Sequence, residues 1–372
     1  MNETKENIRV IISGGGTGGH IFPALSIANA LRRVRPEISI LFVGAQGRME
    51  MTRVPEAGYE IKGLPVAGFI RNKLSPANLI VLWKLFRSML LARKIIRNFK
   101  PQVVIGVGGY ASGPVLKQAQ RMGIPTLIQE QNSYAGVTNR LLAARAARIC
   151  VAYDGMEKYF PADRIIKTGN PVRQTYSNLA TLRDEAFDFF GLEKGKKVIL
   201  VLGGSLGAGA INNSIGNGIS LIAGEGVQMI WQTGSQYLDR VREIAAKVNA
   251  PDVHIMGFIN RMELAYAAAD VIITRAGAGT ISELQLVGKP AILMPSPNVA
   301  EDHQTHNAMA LVDKNAAVMI RDSEADEKLL RTAFELLRDE ARCRELSGNI
   351  KTLADRDADE VIANEILKLI RE

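Results

Sequence analysis

A histidine that directly follows a glycine-rich run is the first feature of the sequence able to do chemistry. Gly14, Gly16 and Gly19 come after a short apolar run and before a helical pattern, and His20 is the next residue. Backbone N–H groups at a helix N-terminus can approach an anion closely, and the helix dipole favours the neutral imidazole that a general base requires. The alternative is that the glycines allow tight strand–helix packing and that His20 makes a local hydrogen bond.

This loop does not complete a known nucleotide motif. A dinucleotide site also needs a carboxylate at the end of the next strand, and residues 42–47 (FVGAQG) contain none. The chain has no G-x-x-x-x-G-K-[ST] run either, which excludes P-loop chemistry.

Three further glycine-rich loops each follow an apolar run and precede a helical one, at residues 106–113, 203–208 and 275–283. Together with the first loop they predict a ligand with several phosphates or hydroxyls. Glu283 is placed to accept hydrogen bonds from two ribose hydroxyls. Alternatively, Thr280 and Glu283 form a T-x-x-E capping box, and one residue could serve both purposes.

Metal and disulfide chemistry have little support. His303 and His306 lack a third ligand at a matching spacing. The acidic residues at 355–359 resemble the start of a calcium loop, but position 360 is Glu instead of Gly. Cys150 and Cys343 are too few for a disulfide framework. We therefore expect neither a metal nor a cofactor.

The elements that must position these loops alternate between strands and helices in both halves of the chain. Strands are predicted at 9–12, 38–43, 103–107, 126–128, 149–152, 198–202, 229–232, 254–256, 271–274, 291–294 and 317–320. Helices are predicted at 23–34, 76–99, 112–122, 136–144, 208–221, 236–248, 261–268, 280–287 and 304–312, with a charged helical tail from 324. This alternation predicts an α/β protein with two Rossmann-like domains, whose parallel sheets face a central cleft.

The predicted domain boundaries follow from the same pattern. Residues 1–168 form an N-terminal domain, 169–196 a linker region and 197–345 a C-terminal domain. Residues 346–372 form a C-terminal helical segment that packs back on the N-terminal domain. The length of 372 residues and 47% hydrophobic content fit two packed cores.

Charge is distributed unevenly along the chain. Residues 1–170 contain 24 Lys and Arg against 10 Asp and Glu, whereas the remainder contains 22 against 28. No acidic residue occurs between Ile61 and Gln129. The first half should therefore attract a polyanion such as nucleic acid, an anionic membrane or a phosphorylated substrate. The apolar stretch 79–99 contains five basic residues, too many for a spanning helix.

The loops resemble, in order and across nearly the whole chain, those of the peptidoglycan N-acetylglucosaminyltransferases that convert lipid I into lipid II. The matching motifs are 14–20 (GGGTGGH), 108–114 (GGYASGP), 129–132 (QEQN), 169–173 (GNPVR), 203–208 (GGSLGA), 277–283 (GAGTISE) and 302–308 (DHQTHNA). The resemblance implies the two-domain GT-B fold, UDP-N-acetylglucosamine as donor and undecaprenyl-linked lipid I as acceptor. It also implies catalysis without a metal ion and a peripheral location on the cytoplasmic face of the plasma membrane. Other cell-wall synthesis proteins are implied as partners.

Carried over residue by residue, the resemblance assigns a set of donor-binding positions. These are Thr17, Gly18, Gly19, Asn132, Arg173, Ser205, Ile259, Ala278, Gly279, Thr280, Glu283 and Gln304. It implies that the Ile259 backbone reads uracil, that Glu283 holds ribose and that Gln304 contacts the N-acetylglucosamine. The expected reaction is one inverting displacement, with His20 as the first choice of general base and Glu130 as the second.

The basic, apolar segment then has a purpose on the acceptor side. Ile80, Trp83 and Phe86, flanked by Lys84 and Arg87, suit the interface of an anionic bilayer. The alternative is that about half of the apolar residues in this helix belong to the core.

Three other functions would each explain part of this sequence. A nucleic-acid-binding protein would explain the pI of about 9.4, but the sequence has no recognition module and the glycine loops would lack a role. A UDP-sugar transferase acting on another glycolipid such as diacylglycerol shares most of the features. An epimerase of the same fold would leave the basic apolar segment without a purpose.

Overall fold

The computed structural model describes residues 8–66, 77–172, 176, 179–204, 207–299 and 302–371. The chain forms two compact units. The first contains Met1–Val172 and Asp357–Glu372, and the second contains Arg173–Arg356.

The described residues of the first unit contain a seven-stranded parallel sheet in the order β3-β2-β1-β4-β5-β6-β7. Its strands are β1 (Arg9–Ser13), β2 (Ser39–Ala45), β3 (Glu60–Leu64), β4 (Val103–Gly106), β5 (Thr126–Glu130), β6 (Arg148–Val151) and β7 (Ile165–Lys167). Its helices are α1 (Gly18–Val34), α2 (Glu50–Glu56), α3 (Ala77–Phe99), α4 (Ser112–Arg121), α5 (Val137–Ala143) and, from the end of the chain, α15 (Ala358–Arg371).

The described residues of the second unit contain a six-stranded parallel sheet in the order β10-β9-β8-β11-β12-β13. Its strands are β8 (Lys197–Leu202), β9 (Val227–Gln232), β10 (Val253–Met256), β11 (Val271–Thr274), β12 (Ala291–Leu293) and β13 (Val318–Met319). Its helices are α6 (Arg183–Phe190), α7 (Gly209–Asn217), α8 (Ile219–Glu225), α9 (Leu238–Val248), α10 (Met262–Ala268), α11 (Ala278–Val287), α12 (His303–Val312), α13 (Ala325–Arg338) and α14 (Glu340–Thr352).

Each sheet is covered on both faces because successive strand residues point in opposite directions. In β1, Val10 and Ile12 pack with α1 and α15, whereas Ile11 packs with α3, α4 and α5. The second sheet is divided in the same way, with Ile199 and Val201 on one face and Leu200 on the other. The prediction of an α/β protein with two parallel sheets is confirmed.

Some elements differ from the prediction for identifiable reasons. Edge strand β3 alternates exposed Glu60 and Lys62 with less exposed neighbours, so it lacks the apolar run of a central strand. The helix predicted over 208–221 is divided into α7 and α8 at Gly218. A Cβ at Gly218 would lie 2.5 Å from Leu330 Cδ1. Leu330 of α13 therefore packs in the space that a side chain at position 218 would occupy. Residues 183–190, within the predicted linker, form α6 on the core of the second unit.

Helix α15 joins the first unit through both packing and charge. Ile362, Ile366 and Leu367 lie in the core beside α1. Arg33 Nη2 donates to Asp359 Oδ2 at 2.7 Å, and the Asp359 side chain is only 3% exposed. The end of the chain therefore closes one face of the first sheet.

Replacing Ile366 tests this role of α15. Ile366 is fully buried, so Ile366→Ala should lower the free energy of unfolding by about 2–5 kcal/mol because it leaves a cavity. Val361 on the same helix is 39% exposed, and Val361→Ala should change stability by about 0.5 kcal/mol or less. Urea unfolding measures both values, and equal losses in the two variants would contradict the packing described.

Candidate functional site

The first candidate site lies where the strand order of the first sheet reverses, between β1 and β4. Open α/β sheets bind ligands at the carboxyl ends of strands beside such a reversal. The loops after the two strands touch each other: a Cβ at Gly109, whose φ is +83°, would lie 2.2 Å from the Gly15 carbonyl oxygen. A Cβ at Gly14 would lie 2.2 Å from Val107 Cγ2. Glycine at these positions is what allows the two loops to meet.

His20 lies in the first turn of α1, against the second of these loops. The Thr17 hydroxyl lies 3.2 Å from His20 Nδ1, and Thr17 is the N-cap of the helix. A Cβ at Gly108 would lie 2.8 Å from both Cδ2 and Nε2 of the imidazole. Thr17 on one side and Gly108 on the other therefore orient the ring at the junction of the two loops. The structure brings Thr17, Gly18, Gly19 and His20 together in this turn.

Glu50, a buried acidic residue that the sequence patterns did not single out, supports the glycine loop after β1. Glu50 is 1% exposed, and its Oε1 accepts from the Ala45 N–H at 2.9 Å. The Gly16 N–H donates to Oε1 at 3.1 Å and to Oε2 at 3.0 Å. The expectation that this loop offers bare N–H groups to an anion is therefore wrong for Gly16. The available signal was an acidic residue shortly after the end of β2.

Glu130, the second choice of base, is also buried and hydrogen-bonded. Its Oε1 accepts from the backbone N–H of Asn132 at 3.1 Å and from Asn132 Nδ2 at 3.2 Å. Its Oε2 accepts from the Gly136 N–H at 3.0 Å and from Asn139 Nδ2 at 2.8 Å. Burial raises the pKa of this carboxyl, and the hydrogen bonds from Asn132, Asn139 and Gly136 oppose the rise. These contacts hold the loop after β5 in place, which gives the Glu130 carboxyl a structural role.

A network of buried amides connects the QEQN motif to the GNPVR motif. Gln129 Nε2 donates to Asn170 Oδ1 at 3.0 Å, and Asn170 Nδ2 donates to the Gln131 carbonyl at 3.0 Å. Gln131 Nε2 donates to the Val107 carbonyl at 2.8 Å and also to Gln129 Oε1. The network fixes the loop after β4 relative to the end of β5. These motif residues thus position the loops that surround His20.

The second candidate site lies at the equivalent reversal in the second sheet, between β8 and β11. The loops that follow these strands contain Gly203–Gly204 and Arg275–Gly277. Arg275 forms a bidentate ion pair with Asp322, in which Nη2 lies 3.0 Å from Oδ2, and it also donates to the Met294 carbonyl at 3.0 Å. Arg275 therefore joins the ends of β11, β12 and β13 at the edge of the sheet.

Glu283 lies on α11, immediately beyond the loop after β11. The Tyr266 hydroxyl donates to Glu283 Oε2 at 3.0 Å, and Tyr266 packs edge-on against Tyr176 at 5.3 Å between ring centroids. Burial raises the pKa of the Tyr266 phenol well above its usual value, and the Glu283 carboxylate acts in the same direction. Tyr266 therefore stays a donor and orients Glu283. Sequence patterns gave no signal for this partner.

The capping-box alternative for this segment is wrong. Helix α11 begins at Ala278 with Gly277 as its N-cap. Thr280 is therefore the third helical residue, and it cannot fill the N-cap position that the T-x-x-E interpretation requires. Ala278, Gly279 and Thr280 instead form the first turn of this ten-residue helix.

The other donor positions of the second unit lie at the same edge of its sheet. Ile259 is buried, and its N–H donates to Gln232 Oε1 at 2.9 Å, which engages one of its two backbone polar groups. Gln304, in the first turn of α12, accepts from the Ser296 N–H at 2.8 Å through Oε1, which orients its side-chain amide. Asn132 belongs to the first unit, beside Glu130. Arg173 and Ser205 lie outside the described residues.

Within the parts of the chain that the structure describes, no group of three or more His, Cys, Asp or Glu side chains is arranged to hold a metal ion.

Helix α3 presents an apolar face on the surface of the first unit. Trp83 is 57% exposed and Phe86 is 62% exposed, and Ile80 is similar. The Arg87 guanidinium lies 4.8 Å from the centroid of the Trp83 ring, and Lys84 lies on the same helix. The opposite face packs into the core through Val81, Ser88, Ala92 and Ile96. No helix among the described residues is long and apolar enough to cross a membrane.

Comparison with known proteins covers both units. Residues 10–151 match the glycosyltransferase family 28 N-terminal domain, and residues 198–362 match the glycosyltransferase family 28 C-terminal domain.

Curated relatives match over nearly their whole length. A protein of Phocaeicola vulgatus is 60% identical over 366 residues, which is 98% of this chain and 97% of the relative. It is named UDP-N-acetylglucosamine–N-acetylmuramyl-(pentapeptide) pyrophosphoryl-undecaprenol N-acetylglucosamine transferase. A Bacteroides fragilis protein of the same name is 60% identical over 367 residues, 98% of this chain and 96% of the relative. The crystal structure of Acinetobacter baumannii MurG aligns with a TM-score of 0.78 at 28% identity, covering 97% of this chain and 99% of that one.

Proposed function

We infer that this chain, which belongs to glycosyltransferase family 28, transfers N-acetylglucosamine from UDP-N-acetylglucosamine to lipid I and so produces lipid II for peptidoglycan synthesis. The observation that carries this function is the 60% identity, through both units, to transferases whose name states that donor and acceptor. The oriented imidazole of the first unit and the Tyr266–Glu283 pair of the second give the reaction its candidate groups.

A transfer assay tests the function directly. The purified chain is given UDP-[14C]N-acetylglucosamine with lipid I, or with diacylglycerol as the competing acceptor, and labelled glycolipid is counted. We expect transfer to lipid I alone. Label on diacylglycerol would support the alternative glycolipid transferase, and conversion of UDP-N-acetylglucosamine to UDP-N-acetylmannosamine without an acceptor would indicate an epimerase.

We propose a single displacement at the anomeric carbon. The 4-hydroxyl of the muramyl sugar attacks C1, its proton passes to His20, and the bond from C1 to the UDP oxygen breaks. The anomeric configuration inverts because nucleophile and leaving group are on opposite sides. His20 is supported in this role by the contact of Nδ1 with Thr17 and by the position of its ring at the loop junction.

We assign the leaving UDP to the second unit. A glutamate carboxylate can accept hydrogen bonds from both ribose hydroxyls, and Tyr266 holds Glu283 for that purpose. The first turn of α11 supplies N–H groups at the positive end of a helix dipole, which stabilises the charge that develops on the diphosphate. We assign the reading of uracil to the Ile259 carbonyl, because the Ile259 N–H already donates to Gln232 Oε1.

We propose further that helix α3 places the enzyme on the membrane that contains its acceptor. More than half of the surface of each of Ile80, Trp83 and Phe86 is exposed, an arrangement that burial in a bilayer interface would make favourable. Lys84 and Arg87 on the same helix would contact anionic headgroups. Because the nucleotide sugar is a cytoplasmic metabolite, the surface concerned is the cytoplasmic face of the plasma membrane.

Replacing His20 tests the assignment of the base. His20→Ala should lower kcat by ~10²–10⁴-fold, because a general base acts in the transition state, while the affinity for UDP changes little. Stopped assays measure kcat, and calorimetry measures the affinity for UDP. If kcat stays within a few-fold of the wild-type value, His20 is not the base and Glu130 becomes the candidate.

Replacing Glu283 tests the ribose contact. Glu283→Ala should weaken UDP binding by ~1.5–3 kcal/mol through the loss of charge-assisted hydrogen bonds, and Tyr266→Phe should weaken it by less. Calorimetry with UDP measures both. Glu335→Ala provides a matched control, since that carboxylate is exposed on α13 and pairs only at the surface with Arg331. Unchanged UDP affinity in a folded Glu283→Ala protein would exclude the ribose role.

Charge reversal on α3 tests the membrane proposal. Wild-type protein should bind anionic phosphatidylglycerol vesicles, and binding should weaken but persist at high salt, because headgroup attraction is screened and apolar burial is not. The double change Lys84→Glu and Arg87→Glu should reduce sedimentation with the vesicles and leave UDP affinity intact.

The matched control for charge reversal lies on α9 of the second unit. Arg242 and Lys247 are exposed, and replacing both with Glu makes the same change in net charge. That variant should sediment like the wild type. Equal sedimentation of the α3 variant and the wild type would contradict the proposed membrane contact.

A further inference from the structure

Glu50 is a buried acidic residue with no part in the displacement described above. It is the first residue of α2, yet its carboxylate contacts two different strand ends, through the Ala45 N–H at the end of β2 and the Gly16 N–H in the loop after β1. Hydrogen bonds from N–H groups to a carboxylate are shorter and stronger than those to a neutral acceptor. A charged group therefore joins the first glycine loop to the neighbouring strand.

The backbone around Glu50 leaves room for this side chain and for little else. A Cβ at Gly15 would lie 2.1 Å from Glu50 Oε1, and a Cβ at Gly44 would lie 2.5 Å from Glu50 Cγ. Gly15 and Gly44 thus serve the approach of the carboxylate. This explains Gly15, which a phosphate-binding interpretation of the loop would assign to a ligand, and also Gly44 within β2.

The carboxylate also changes what the first loop can bind. In a nucleotide-binding loop, N–H groups like that of Gly16 point at a phosphate. Here both oxygens of Glu50 accept from Gly16, so the protein supplies its own anion at that point. A phosphate at the same position would lose the hydrogen bond and meet a like charge. The Gly16 N–H therefore fixes the position of the loop and does not bind a phosphate.

The residue that this support affects is His20, which lies four residues after Gly16 in the same segment. The loop continues from Gly16 directly into Thr17, whose hydroxyl contacts His20 Nδ1. Gly15 also lies against Gly109, in the loop on which the imidazole rests. A shift of the Gly16 backbone would move both the hydroxyl and the surface that orient the ring.

We propose that Glu50 is a positioning residue for sugar transfer, which acts by anchoring the first glycine loop so that Thr17 and His20 keep the geometry required for proton removal. The proposal rests on the function proposed above. A misplacement of about 1 Å in a catalytic group can cost ~10²-fold in rate. Loss of the anchor should therefore lower kcat, while UDP, assigned to the second unit, binds as before.

The first experiment removes the carboxylate and then supplies another. Glu50→Ala should lower kcat by ~10–100-fold and leave the Kd for UDP within about twofold. Sodium formate should restore part of the lost kcat, because its oxygens can accept from the Gly16 and Ala45 N–H groups, and sodium chloride at the same ionic strength should not. Rescue by formate is a response that a general loss of packing would not give.

The second experiment covers the case in which Glu50→Ala does not fold. Glu50→Gln retains the size of the side chain but places an NH₂ group near the Gly16 N–H. It should lower kcat while its unfolding temperature stays close to that of the wild type. Glu56→Ala is the matched control on α2, because that exposed carboxylate pairs with Arg53 at the surface, and its kcat should be unchanged.

The outcomes separate the two proposals. If the wild type does not transfer label to lipid I, the proposed function fails. If the wild type is active and Glu50→Gln keeps its full kcat, the positioning role is overturned and the function is unaffected. A Glu50→Ala protein that folds, loses kcat and does not respond to formate would also overturn the role of the carboxylate.

Discussion

The parallel direction of the strands is the constraint on which the rest of this structure depends. In the described part of each sheet, all strand pairs are parallel, so the chain must cross over between one strand and the next. Every carboxyl end therefore reaches the same edge of its sheet. The order reverses at β1/β4 and at β8/β11, and open α/β sheets bind ligands at the carboxyl ends of the strands beside such a reversal. The four glycine-rich loops of this sequence follow these four strands.

Loops rich in glycine need support, and here buried and partly buried polar side chains provide it. Glu50 holds the loop after β1, Glu130 the loop after β5, and Arg275 with Asp322 the loop after β11. Tyr266 does the same for Glu283 on α11. A buried carboxylate is costly unless it is hydrogen-bonded, and both oxygens of the buried Glu50 and Glu130 side chains accept hydrogen bonds. Such supports hold the loops in a defined geometry, which a displacement reaction requires.

Helix α3 combines two roles that usually belong to different elements. Its inner face, including Ala92 and Ile96, completes the core of the first unit, while Trp83 and Phe86 remain exposed beside Arg87. An ordinary surface helix exposes mainly polar residues, so an apolar outer face indicates a second environment. The proposed bilayer contact accounts for it and would bring the enzyme to an acceptor that cannot leave the membrane.

Sequence by itself determined the fold class, the parallel sheets and the place of the glycine loops, because strand and helix periodicities are local properties of the chain. Motifs such as GGGTGGH and QEQN were sufficient to indicate the family. The roles of individual side chains were decided by the tertiary structure. Glu130 is a base candidate by type, yet four hydrogen bonds give its carboxylate a structural task. Thr280 could have been a cap until α11 proved to begin at Ala278. Tyr266 had no sequence signal, and Glu50 had only its place shortly after the end of β2. The role of each is created by contacts between different elements, and only packing determines such contacts.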